Sequence, residues 1–212
     1  RFSRYLLACQ GLPSPRLDDV RVVMERLFRE VGLPERIRTD NGEPFASHGV
    51  SGLTRLNVWW MRLGIQHERI DKGRPYQNGA HERMHQDLKA ETTRPPAKTL
   101  GEQQILFDDF VEEYNTVRPH EGIGQRRPSS LWTPSRRPYP EHLNDPEYPG
   151  YFEVRRVRHN GDIKFQGERC FVSMALAGQL IGLEPVEDGI WSLVFHKTLL
   201  GRLSEKTRRI YG

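Results

Sequence analysis

Apolar residues recur three or four positions apart at Leu17, Val20, Met24, Leu27, Phe28 and Val31, which predicts an amphipathic helix. Ser14-Pro15 reads as an N-cap with proline at the first helical position, and Gly32-Leu33-Pro34 as the stop. Ahead of it, residues 2–8 read as a strand. Residues 35–39 form a second short strand that ends on Asp40. Leu53, Leu56, Trp59, Trp60 and Leu63 predict another helix, closed by Gly64, with at least one of its tryptophans in the core and base stacking as the alternative. Residues 65–70 return to strand. A loop at 72–76 leads to a helix from about residue 78 to 92. Phe107, Phe110, Val111 and Tyr114 mark a further helix that ends before Arg118. Short strands alternating with helices in this way predict an α/β domain.

The pattern changes after about Gly122. Pro128, Pro134, Pro138, Pro140, Pro146 and Pro149 punctuate a stretch without helical period, so 122–150 reads as a linker. Residues 151–158 then alternate, Asn160-Gly161 is a hairpin signal, and 163–165 return. Short strands at 170–174, 190–196 and 199–203 complete a small all-β barrel. The expected division is a core at 1–121, the linker, and a β-module at 151–212. That module carries ten Lys and Arg against seven Asp and Glu, most of the excess positive charge of the chain.

The whole chain is mildly basic, at +4 with a pI near 9.2, and its mean hydropathy of −0.71 implies a large wet surface. This leans toward a polyanionic partner without requiring one. Cys9 and Cys170 lack any metal-type spacing, so a reducing compartment, the cytoplasm, is expected. No apolar run approaches the roughly 18 residues of a membrane span, and no membrane partner is expected.

Two acids carry the candidate chemistry. Asp40 ends a strand in Thr39-Asp40-Asn41-Gly42, and Glu82 opens a helix in Asn78-Gly79-Ala80-His81-Glu82-Arg83. Strand ends of α/β sheets present ligands, and a helix N-terminus tolerates an anion. Mg²⁺ takes oxygen donors and needs only one or two carboxylates beside substrate phosphate. Lys89, seven residues after Glu82, projects from the same helix face, where it could hold a phosphate; His85 and Gln86 share that face. The same residues also fit a plain turn and a solvated helix surface. His81-Glu82-Arg83-Met84-His85 further matches the zinc-hydrolase pattern H-E-x-x-H, with His120 or His142 as distant third ligands. Arg83 between those ligands counts against zinc.

Asp40-Asn41-Gly42, Leu63-Gly64-Ile65, the run Gly73-Arg74-Pro75-Tyr76-Gln77-Asn78-Gly79-Ala80-His81-Glu82-Arg83, Leu88-Lys89, Tyr114-Asn115 and Arg118-Pro119-His120-Glu121 together resemble the retroviral-type integrase core. More narrowly, they resemble the DDE transposases of bacterial insertion sequences. The resemblance implies an RNase H-like fold and strand cleavage and transfer on double-stranded DNA, at element ends and target. It implies Mg²⁺ (or Mn²⁺) as cofactor and a homo-oligomer on the DNA, with a nucleoid location. Asp40 and Glu82 would be the second and third catalytic and metal-holding carboxylates. Lys89, Arg83, Arg74, His85 and Asn78 would be the DNA contacts. Two departures stand out. The 41 residues between Asp40 and Glu82 exceed the usual spacing, and residues 1–17 contain no Asp or Glu. The first catalytic Asp is therefore expected to be absent and the chain to read as N-terminally truncated, which leaves a non-catalytic DNA-binding remnant as the alternative.

Overall fold

A computed structural model describes residues 2–14, 16–47, 52–71 and 79–211. In chain order the elements are α1 (Leu17–Val31), β1 (Arg36–Thr39), α2 (Arg55–Arg62), β2 (Gln66–Arg69), α3 (Gly79–Thr92) and α4 (Leu100–Thr116). They are followed by β3 (Glu153–Arg156), β4 (Asp162–Phe165), β5 (Glu168–Phe171), β6 (Leu180–Glu187), β7 (Ile190–Phe195), β8 (Thr198–Ser204) and β9 (Ile210–Tyr211). The chain groups into two compact units, each made from two segments: residues 1–34 with 70–139, and residues 35–69 with 140–212.

In the first unit, α3 buries Met84, Leu88 and Thr92, a four-residue spacing that gives a narrow apolar strip. The strip meets Phe110 and Tyr114 of α4, with Leu6, Cys9 and Phe107 packed against the same cluster. A capping box starts α4: Thr99 accepts from the Glu102 amide, and Glu102 accepts from the Thr99 amide, both at 3.2 Å. Arg118, just past α4, forms a two-pronged ion pair with Glu91 on α3 and a second with Glu113 on α4. Its guanidinium also lies 5.2 Å from the Phe110 ring centre. These contacts hold Arg118 well above the usual guanidinium range and Glu91 below the usual carboxylate range, chiefly through their mutual hydrogen bonds. One arginine thus fastens the Glu82 helix to its neighbour.

Residues 2–14 contain no strand, contrary to the expectation for 2–8. Side-chain amides of α4 take the place of a pairing strand. Asn115 accepts from the Leu6 amide and donates to the Leu6 carbonyl, both at 2.9 Å. Gln104 accepts from the Gly11 amide and donates to the Cys9 carbonyl, also at 2.9 Å. The backbone partners of this segment are side chains. The predicted cap of α1 also shifts: Ser14 donates its hydroxyl to Asp19, and Arg16 occupies the N-cap. The proline-rich stretch is tied down within the first unit, where Tyr5 stacks on Trp132 at 4.4 Å and Leu33 donates to the Arg137 carbonyl at 2.7 Å.

In the second unit, β1 and β2 pair in parallel, with Ile37 opposite His67 and Thr39 opposite Arg69. A capping box between Thr54 and Asn57 starts α2, which buries both Trp59 and Trp60. The β-module is a five-stranded antiparallel sheet in the order β3-β6-β7-β8-β9, with β4 and β5 as a separate hairpin. Ile163, Phe165, Cys170, Ile181, Leu183, Leu193, Phe195 and Leu203 form its core. Asn160-Gly161 does make a tight turn, but it does not join paired strands: β3 pairs with β6, and β4 with β5. The hairpin turn is Gln166-Gly167, where both residues have positive φ (47° and 85°), the requirement of a type I′ turn. Strand β6 was hidden from the sequence by Gly182 and Pro185. Gly182 lets the Tyr148 and Phe152 rings lie on the strand, since a Cβ there would meet either ring at 2.6 Å. Pro185 sits at a register shift, where a missing donor is tolerated.

Candidate carboxylate site and nucleic-acid interface

Asp40 follows the last residue of β1 and is exposed. Its Oδ1 accepts from the Gly42 amide at 3.0 Å, a local turn that fixes the carboxylate and leaves Oδ2 for another partner. The backbone behind it is held by Thr39, whose hydroxyl donates to the Asp40 carbonyl at 2.8 Å. That hydroxyl has one proton, so its 2.8 Å contact with His67 Nε2 makes the imidazole the donor and assigns the Nε2–H tautomer. Burial, and then the nearby Arg69 charge, lower the His67 pKa from 6.5 to about 4. His67 is therefore neutral at pH 7, edge-on to Trp60 at 5.1 Å. Nothing in the sequence pattern singled out His67; its place opposite Ile37 in the parallel register is the signal that could have.

Glu82 lies in the first turn of α3, exposed, with no partner among the described residues. Lys89 lies on the same helix, also exposed, and two near-complete turns set it on the Glu82 face, about 10 Å further along the axis. His85 lies between them. Its ring centre is 4.2 Å from that of His81, and burial, with the His81 and Lys89 charges after it, lowers its pKa. It faces this surface as a neutral hydrogen-bonding group rather than a cation. Arg83 sits elsewhere on the helix, paired loosely with Asp87 at 3.7 Å. It lines a cleft of about 280 Å³ with Arg4, Tyr114, His120 and Glu121, so α3 does not bring Arg83 beside Lys89. Arg74 and Asn78 lie outside the described residues.

The zinc pattern gains no third ligand: among the described residues no three His, Cys, Asp or Glu side chains gather to hold a metal. His120 is engaged with the Tyr114 carbonyl at 3.2 Å and lies tilted against that ring, centres 4.3 Å apart. Asp18 and Asp19 open α1 rather than lying on a strand. Cys9 and Cys170 are free thiols, each pushed above the ordinary thiol range mainly by burial. Among the described residues no helix is long and apolar enough to cross a membrane.

Residues 63–128 match the family described as Integrase core domain, and residues 152–210 the family described as IS481 family transposase, C-terminal domain. Two insertion-element proteins align with about half of the chain. The first is the insertion element IS476 uncharacterized 39.2 kDa protein of Xanthomonas euvesicatoria, 30% identical over 101 residues, 47% of this chain and 28% of that protein. The second is the insertion element IS407 uncharacterized 31.7 kDa protein of Burkholderia multivorans, 27% identical over 109 residues, 51% of this chain and 37% of that protein. The alignments thus span about a third of those relatives' length. Among solved structures, the catalytic core domain of BIV integrase superposes with a TM-score of 0.46 at 21% identity, over 61% of this chain and 78% of that one. The simian T-cell lymphotropic virus intasome in complex with PP2A regulatory subunit B56 gamma superposes with a TM-score of 0.44 at 18% identity, over 86% of this chain and 63% of that one. The integrase-core match spans β2, α3 and α4 of the α/β part, and the transposase C-terminal match spans the antiparallel β-module that follows. The two matched segments and the insertion-element relatives make the chain similar to insertion-sequence transposases that carry an integrase core.

Proposed function

We propose that this protein cleaves and joins DNA strands by phosphoryl transfer, with Asp40 and Glu82 as metal-holding carboxylates. One observation carries the reading: the exposed face of α3 presents Glu82 and Lys89 together, inside the segment that matches the integrase core. Both acids offer hard oxygen donors at exposed positions, which suits Mg²⁺ or Mn²⁺. When bound, such an ion neutralises charge on the phosphodiester and lowers the proton affinity of the attacking oxygen. Water or a terminal 3′-hydroxyl forms the new P–O bond as the bond from phosphorus to the leaving 3′-oxygen breaks. The attacking oxygen loses a proton and the leaving oxygen gains one. Lys89 neutralises a phosphate beside Glu82, and His85 offers a neutral hydrogen bond. Arg83, Arg74 and Asn78 contact the backbone of the same DNA, and the β-module of residues 151–212 adds salt-dependent phosphate contacts. The substrate is double-stranded DNA, element end and target, engaged by a homo-oligomer. Mass photometry with and without duplex tests that assembly, and a monomer on DNA would overturn it.

A second reading, DNA binding without strand chemistry, is favoured by the basic excess of residues 151–212, ten Lys and Arg against seven Asp and Glu. Mg²⁺-dependent joining of a labelled duplex end to a plasmid separates the two. Under the proposal Asp40→Asn and Glu82→Gln each abolish joining while DNA affinity stays near that of the unaltered chain. Binding by all three proteins with no joining by any supports the second reading.

A further inference from the structure

The β4–β5 hairpin places opposite each other two residues that destabilise the pairing they share. Lys164 faces Arg169 directly across the antiparallel ladder, and both are exposed. Like charges in that position repel. Neither side chain has an ion-pair partner among the described residues. The acid on the same face, Asp162, is buried and engaged by Asn160 at 2.8 Å and by Arg158 at 3.7 Å. Other arginines nearby are neutralised: Arg155 by Glu153, Arg156 by Asp145. Next to the uncompensated pair, on the same outward face, Phe171 is 57% exposed. Its ring is seated against Gly161, where an added Cβ would come within 2.9 Å of Cε2. The face thus sets an exposed aromatic ring beside two cations that have no ion-pair partner among the described residues.

We propose that this outer face holds an unpaired DNA strand, with a base stacked on Phe171 and Lys164 and Arg169 on flanking phosphates; this rests on the DNA-acting reading above. Charge complementarity selects a polyanion, and an exposed π-face beside cations is how single strands are held without sequence preference. A blunt duplex keeps its bases stacked on each other and gains only the phosphate contacts. The occupant is therefore a strand freed at a frayed or cleaved end.

The test is fluorescence anisotropy of the full chain with a single-stranded oligonucleotide and a blunt duplex, over a range of salt. Phe171→Leu should weaken single-strand binding roughly tenfold and leave duplex binding nearly unchanged, while Phe171→Tyr should restore it. The Lys164→Gln/Arg169→Gln pair should reduce the single-strand log–log salt slope by about 1.4. Single-strand affinity unchanged in Phe171→Leu, or an equal loss on duplex, overturns the stacking role. An unchanged salt slope in the double variant overturns the phosphate role and leaves the cations as guards of an exposed strand edge. If the unaltered chain binds neither DNA, the DNA-acting reading fails with it. Binding that is insensitive to all three variants refutes the hairpin site alone.

Discussion

At the scale of single residues, the Asp40 end of β1 is stiffened by a short relay, Gly42 amide to carboxylate and His67 to Thr39 to the Asp40 carbonyl. The relay needs His67 neutral. Its folded pKa, about 4, lies below the ordinary 6.5, so the stability it contributes is complete above pH 6.5 and is lost as pH falls through about 4. His67→Gln should flatten the fall in melting temperature over that window; an unchanged profile would show that other groups set it. Asn115 makes a second residue-scale prediction. Its amide satisfies both backbone groups of Leu6, and Asn115→Ala leaves them without a partner at a cost of about 2–4 kcal/mol. Amide exchange at Leu6 should accelerate; unchanged protection would refute the surrogate-strand account. Asp40, Glu82 and Lys89 were legible in the sequence because turn residues and helical spacing are local properties. His67 and Asn115 were not, because their partners lie 28 and 109 positions away.

Helices were legible where apolar residues recur at helical spacing, as at residues 17–31, 55–62 and 100–116, whereas the narrow buried strip of Met84, Leu88 and Thr92 was not singled out. Strand pairing was less so. Asn160-Gly161 carries a strong turn signal and makes a turn, but the backbone of residues 172 and 173 bonds to the Gly161 carbonyl and takes the chain away from β3. Gln166-Gly167 carries the weaker signal and makes the hairpin. Gly182 and Pro185 looked like strand breakers, and only the rings over one and the register shift at the other explain why β6 continues. At this scale the Arg118–Glu91 clamp is the element to break. Arg118→Met should cost about 1–2 kcal/mol and raise amide exchange along α3, more than on α1. Equal exchange on both helices would show that the apolar strip alone holds α3.

For the whole molecule, two compact units are each assembled from two segments, which composition along the chain cannot reveal because contacts between distant segments leave no local period. The proline-rich stretch shows the same limit. Its lack of helical period was correct, yet its backbone finds specific partners, Leu33 with Arg137 and Ser135 with Val31. The resemblance was legible because several short motifs, from Asp40-Asn41-Gly42 to Arg118-Pro119-His120, follow one another in order along the chain. The central claim is that Asp40 and Glu82 serve strand chemistry on DNA. It is tested most directly by Mg²⁺-dependent joining of a labelled duplex end to a plasmid, with DNA affinity read by anisotropy in the same samples of unaltered chain and Glu82→Gln. Joined product from the unaltered chain and none from Glu82→Gln, at matched affinity, is the predicted result. Equal product from both proteins, or no product from either while both bind DNA, would contradict it.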